Sequence, residues 1–278
     1  MGESCYNARD KEDRAVFQGF TAEADRFLSD IRFNNFQQFY DENRERYEKF
    51  VKAPLRELSE EMAPVVQLID SRLDTRPMRT MSRIRRDTRY SKDKSPFRDH
   101  VWLGWRYPGE SRSEGFSMWW GFGPDWMSWG CGCYATDKPL MDALRLQIRK
   151  DPDSVRAAFA HPRIGGRFAF YGEAYKKIKV PEDVPEDLAF LYVKKGFGIE
   201  HNATREEWAA LRTHEMADIL AADLAAMAPL HQLMQRMRAN AEHAQAQAVR
   251  EREEAQRVPD EAPKPEKLTV RSAEEFEF

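Results

Sequence analysis

The sequence predicts an α+β fold: a central antiparallel β-sheet with N-terminal and C-terminal helices packed on it, followed by a disordered C-terminal tail. Three observations predict it. Apolar residues recur at helical spacing near both ends of the chain. Between them, residues 101–134 are rich in aromatics and are cut by Gly, Pro and Ser at strand-like intervals. Five of the seven tryptophans fall between Trp102 and Trp126, with Trp129 just after, a concentration suited to a sheet packed under helices. With 41% hydrophobic residues in 278, the chain can fill the core of one large domain.

The expected order is a disordered lead at residues 1–15, a single α+β domain at 16–238, a polar helix at 239–258 and a disordered tail at 259–278. Order begins at Phe17-Gln18-Gly19-Phe20. Thr21 is the N-cap of a first helix with Phe27, Leu28 and Ile31 on its apolar face. Asn34 and Asn35 interrupt it, since adjacent asparagines favour caps and turns. A second helix is expected over residues 36–51, with Phe39, Tyr40, Tyr47 and Val51 at helical spacing. Pro54 starts a third, ending near Asp70.

The period then changes. Residues 78–90 have β-type features, and residues 101–107, 116–122 and 127–134 read as an antiparallel meander. Helices return where Asp137-Lys138-Pro139 opens one running to Lys150, and where Asp151-Pro152 caps a short one through Ala160. A strand at 168–171, a short helix at 182–189 and a strand at 190–195 follow. Thr204 and Glu207 form a capping box that opens a long helix through Trp208, Leu211, Leu224 and Met227, which Pro229 ends or kinks. Residues 231–257 are helix-prone but lose their apolar stripe after Met237. Residues 259–278 are rich in proline and charge. The terminal residues 274–278 are either a short docking motif for a protein partner or a solvated tail.

Charge is unevenly placed. The whole chain carries a net charge of -3, while residues 72–106 carry 11 Lys/Arg against 4 Asp/Glu, a local +7. Overall acidity argues against a protein that coats nucleic acid along its whole surface. Arg79, Arg83, Arg85, Arg86 and Arg89 lie within eleven residues. As a strand, this segment would place Arg79, Arg83, Arg85 and Arg89 on one face with Asp87, and Arg86 on the other beside Ile84. A partly buried Arg86 would need a partner. Guanidiniums at this density call for bidentate carboxylates or phosphates. Two readings follow: an internal ion-pair network using Asp87, Asp93 and Asp99, or a phosphate or carboxylate site. The turn that follows, residues 90–97, sets Lys92 and Lys94 around Asp93. Either the lysines reach a phosphate and Asp93 acts as a base, or Asp93 caps the loop and the lysines are solvated.

Other chemistry is weakly signalled. Cys131 and Cys133 face the same way on a strand, but a zinc site needs two further ligands, so no metal is expected. An odd count of three cysteines suits a reducing cytoplasm rather than a disulfide framework. The six histidines are scattered. Walker A, G-x-G-x-x-G and G-x-S-x-G patterns are absent from the sequence. No apolar run of about 18 residues suggests a membrane span.

The segment R-I-R-R-D-T-R-Y-S-K-D-K-S-P-F at residues 83–97 resembles the signature of domain of unknown function 2461, R-I-x-R-D-x-R-F/Y-S-K-D-K-x-P-F/Y. Phe17-x-Gly-Phe20, Asn34-Asn35, Phe39-Tyr40, Asn43, Tyr47 and Pro54-Leu55 resemble the N-terminal part of that family, which often carries Trp-Phe where this chain has Phe39-Tyr40. The resemblance spans residues 17–237 and implies one α+β domain. It treats Arg86, Asp87, Arg89, Ser91, Lys92, Asp93 and Lys94 as a unit, and it imports no activity.

The leading functional expectation is a pocket for a phosphorylated or polycarboxylate small ligand, with turnover and cofactors left unassigned. Its candidate residues are Arg83, Arg86, Asp87, Arg89, Lys92, Asp93 and Lys94: the cations supply the field, and the aspartates orient them or one serves as general base. A second expectation is a nucleic-acid module with Trp102, Trp105 or Trp119 stacking on bases. A third is an interaction protein whose arginines form an internal network and whose C-terminal helix, with Phe276 and Phe278, docks a partner.

Overall fold

The computed structural model describes residues 16–110 and 115–256. The lead expected at residues 1–15 and the tail expected at 259–278 lie outside the described residues. The chain separates into two units after Ala241.

Helix α1 (Ala22–Phe33) buries Phe27, Leu28 and Ile31, as its spacing predicts. The helix expected over residues 36–51 is instead broken into α2 (Gln37–Glu42), α3 (Arg44–Tyr47) and a π-helical turn (Glu48–Lys52). Asn43 separates the first two, its side chain donating to the Phe39 carbonyl at 2.9 Å. Pro54 offers no N–H to the preceding turn, and the Ala53 N–H reaches back to the Glu48 carbonyl, widening the turn. Helix α4 (Ala53–Ile69) follows.

The strand expected over residues 78–90 is not formed. Pro77 opens a one-turn helix, α5 (Pro77–Thr80), and the chain then runs extended with only two isolated bridges, Met81 to Leu103 and Arg85 to Phe97. Alternation survives locally: Ile84 is buried, Arg83 and Arg85 are exposed, and Arg86 is half-buried. The meander is present as β1 (Val101–Trp105), β2 (Phe116–Gly123) and β3 (Trp126–Cys133). Asp137 and Asp151 cap α6 (Lys138–Lys150) and α7 (Pro152–Phe159) by accepting from the Leu140 and Ser154 backbone N–H groups. Helix α8 (Pro162–Gly165) precedes β4 (Ala169–Tyr171).

Residues 190–195 are a second correction. Leu188, Leu191 and Tyr192 bury one helical face, so α9 runs from Glu186–Tyr192, and the strand forms later as β5 (Gly198–Asn202). The Thr204–Glu207 capping box is present but opens only α10 (Arg205–Ala210). A turn at residues 211–214 separates it from α11 (Glu215–Gln256). Pro229 neither ends nor interrupts α11. Small residues precede it at Ala225, Ala226 and Ala228, and the buried Leu230, His231, Leu233 and Met234 follow, so packing compensates for the one backbone bond lost. Beyond Ala241 the exposed residues 242–254 carry no buried face. Among the described residues, no helix is long and apolar enough to cross a membrane.

All pairings in the five-stranded sheet are antiparallel, in the order β1-β2-β3-β5-β4. One face is the core. Leu103, Trp105, Met118, Trp120 and Trp129 are fully buried there, with Phe20 stacked on Trp120 at 5.9 Å. Trp129 donates from its indole nitrogen to Asp223 of α11 at 2.8 Å. Asp223 is fully buried and also takes Arg163 at 2.7 Å and Arg167 at 3.0 Å. Arg167 continues to Glu207, which faces His201 at 2.7 Å. Every buried charge in this chain of contacts has a partner, as burial requires.

Candidate functional site

The opposite face of the sheet is rich in glycine. Strand register aligns Gly104, Trp119, Gly130 and Glu200 in one row across four strands. The flanking rows hold Trp102, Gly121 and Ser128 on one side, and Ser117, Gly132 and Gly198 on the other. Such a face has a floor of backbone. A Cβ added at Gly132 or Gly198 would fall 2.2 Å from the Tyr171 side chain, so these two glycines let that ring lie across the sheet. The Trp119 indole N–H donates to the Tyr171 hydroxyl, while burial raises the Tyr171 pKa.

Two adjoining cavities occupy this region. One, of about 770 Å³, lies over the glycine floor between Trp102, Trp119, Trp126 and Tyr171, with Glu200 in its lining. The other, of about 960 Å³, is lined by arginines that include Arg79, Arg83, Arg85 and Arg89. Arg86, Arg98, Gly104 and Arg106 line both.

The arginines differ in how they are compensated. Asp70-Ser71-Arg72, Asp74-Thr75-Arg76 and Asp87-Thr88-Arg89 repeat one local turn. Each aspartate accepts from the arginine backbone N–H two residues on, at 3.0, 3.1 and 3.2 Å, and its carboxylate also takes the guanidinium. Such Asx turns need only the two-residue spacing. Arg89 therefore holds the Asp87 carboxyl below its usual range. Arg86 pairs with Asp93. Arg85 reaches Gln37 at 3.0 Å and lies over the Phe97 ring at 5.1 Å.

Arg98 and Arg106 are half-buried and form no ion pair among the described residues. Arg98 donates to the Arg83 and Arg85 carbonyls at 3.1 and 2.6 Å and lies 5.0 Å over Trp102. Burial, then Arg86, lowers its pKa. Burial likewise lowers that of Arg106, with Glu110 and Asp74 opposing. Both cations are held where their charge is under-compensated.

The sequence-predicted residues divide between wall and loop. Arg83, Arg86, Asp87 and Arg89 line the arginine cavity. Lys92, Asp93 and Lys94 line neither cavity. Asp93 closes the loop: it accepts from the Ser95 backbone and hydroxyl at 2.9 and 2.6 Å, and these bonds, with Arg86, depress its pKa. Lys94 donates to the Thr88 carbonyl at 2.8 Å. Asn35 clamps the base of this loop by exchanging two hydrogen bonds with the Phe97 backbone, at 3.0 and 2.9 Å. Trp105, named with Trp102 and Trp119 as a base-stacking candidate, is fully buried in the core and cannot meet a base. It occupies the core-facing position between Gly104 and Arg106. Arg98, Arg106, Glu200 and Tyr171 went unnamed from sequence, although Gly121/Gly123 and Gly130/Gly132 alternate with the strand period and signal a bare face. Cys131 and Cys133 are buried thiols on the core face. Among the described residues, no group of three or more His, Cys, Asp or Glu is placed to hold a metal ion.

The fold and this face define an α+β protein with an arginine-edged cleft on a glycine-rich sheet. The family model described as conserved hypothetical protein (DUF2461) matches residues 23–233, and the chain belongs to that family. No curated protein matches it significantly.

Proposed function

We propose that the cleft binds a phosphorylated or polycarboxylate small ligand, with the anion seated between Arg98 and Arg106 and Arg86 beside it. One observation carries this reading: two half-buried guanidiniums line both cavities and form no ion pair among the described residues, although Asp74, Asp87 and Glu110 line the arginine cavity. An anion there would restore the charge balance that burial removes, and arginine forks suit phosphate and carboxylate oxygens. Arg83 and Arg89 edge the same cavity and add to its field, while Lys92 and Lys94 contribute from the loop. The reading is of binding rather than catalysis. Asp87 and Asp93 both have depressed pKa values and accept hydrogen bonds from neighbours, which makes them weak bases. We assign the activity to the domain expected at residues 16–238 and place it in the cytoplasm, where thiols such as Cys131 and Cys133 stay reduced.

Isothermal titration with pyrophosphate and citrate tests the proposal. At least one should bind, and Arg98→Ala should weaken it about tenfold or more, the effect of losing a charge-assisted hydrogen bond. Absence of binding by phosphorylated and polycarboxylate compounds alike, or unchanged affinity in both Arg98→Ala and Arg106→Ala, would overturn it.

A further inference from the structure

The aromatic half of the cleft has features an inorganic anion would not use. The Glu200 carboxylate forms no hydrogen bond or ion pair among the described residues and stands in the lining of that half. It shares the cross-strand row with Gly104 and Trp119. Three strand spacings separate Glu200 from Gly104, about 14 Å of backbone, and the Gly104 end carries Arg106, 3.8 Å from where a Cβ would stand, and Arg98 over Trp102. Between them lie a flat backbone floor and the indoles of Trp102, Trp119 and Trp126. His100 stacks on Trp102 at 5.5 Å, which adds to the aromatic wall. The cleft thus has a cationic end, a planar apolar middle and an acceptor-only carboxylate at the far end. A complementary ligand carries an anion, then a flat ring, then N–H donors.

We propose that this half receives the base of a nucleoside phosphate, stacked on the indoles, with amino donors on its edge read by Glu200 and its phosphates at Arg98 and Arg106. This rests on the anion seat proposed above and specifies what is attached to the anion. The volume of about 770 Å³ falls within the range of small-molecule sites, roughly 300–1,000 Å³. Aromatic stacking tolerates any base, so the carboxylate supplies the selection among them.

The test compares pyrophosphate, adenosine diphosphate and a hexose phosphate on the full chain, by calorimetry and indole fluorescence. Adenosine diphosphate should bind about tenfold tighter than pyrophosphate, the scale of one stacked base, and should quench fluorescence. Trp119→Leu should remove most of that gain and Glu200→Gln part of it, with pyrophosphate affinity undiminished in both. Glu200→Gln is near-isosteric on a solvent-facing strand position, so it serves if Trp119→Leu disturbs folding. If pyrophosphate binds through Arg98 but the nucleotide binds no tighter, this inference fails and the anion seat stands. An equal gain for the hexose phosphate would overturn the base assignment. Failure of every probe would overturn both.

Discussion

The Arg98 guanidinium lies 5.0 Å over the Trp102 ring and has no carboxylate ion pair among the described residues. Among the described residues, its hydrogen bonds go to two backbone carbonyls of the arginine segment. Arg98 therefore joins the charged loop to the aromatic sheet. Thermal unfolding should expose this link. A bound anion stabilises the folded state by mass action, so pyrophosphate should raise the Tm of the parent and not that of Arg98→Ala. An equal rise in both would place the bound anion elsewhere.

Asp223 is the buried hub beneath the sheet, taking Trp129, Arg163 and Arg167. Removing one member of a buried pair leaves the others desolvated and unpaired. Asp223→Ala should cost about 3 kcal/mol or more in urea unfolding. A loss under about 1 kcal/mol, the scale of an exposed pair, would show that water replaces the contacts.

Asp70 should set part of the acid stability. Arg72, then Tyr107, hold its carboxyl well below the ordinary value of 3.8, against the opposing effect of burial. A depressed folded pKa contributes stability that is present above 3.8 and lost as pH falls through the folded value. Asp70→Asn should cost roughly 2 kcal/mol at neutral pH. Its deficit against the parent should shrink in strong acid, as followed by denaturant midpoints across pH.

His214 has the opposite sign. Glu61 at its Nε2 raises its pKa above the ordinary value of 6.5. That contribution is fully present below 6.5 and is lost as pH rises through the folded pKa. Tm should fall for the parent as pH is raised from slightly acid to mildly alkaline, and His214→Gln should flatten that part of the curve. Parallel curves would remove His214 from the account.

The two sheet thiols should be inert while the protein is folded. Burial raises the Cys131 pKa well above its usual value and pushes Cys133 up to about 12. Reaction requires thiolate. In a Cys5→Ser background, iodoacetamide should label neither residue until denaturant is added. Rapid native labelling would show that β3 opens.

Much of the fold was legible because its signals are local. Asp137, Asp151 and Thr204 act within three residues of themselves, and each capped a helix where the sequence placed it. The meander was legible from aromatic alternation. The misplaced elements depend on distant contacts. Gly198 is a poor strand former, and β5 begins there because its backbone fits beside Gly132 and under Tyr171. Pro229 by its local effect predicts a break, whereas the packing around it keeps α11 continuous. The candidate site divided in the same way. Asp87 and Arg89 sit two residues apart, so their pairing is readable in the sequence. Arg98 and Arg106 flank β1, but Glu200 joins their cleft only through strand register, which no short window of sequence contains.

The glycine rows have a consequence for the other side of the sheet. Strands with glycine at many positions of one face gain little cohesion there and lose more chain entropy on folding. The opposite face carries Trp105, Trp120 and Trp129, all fully buried. Three of the heaviest residues of the chain thus stand behind a face rich in the lightest. They act as a rigid backing plate for a surface that could not keep its own contour. The shape of the cleft is set from behind, and substitutions among residues no ligand can touch would reshape it.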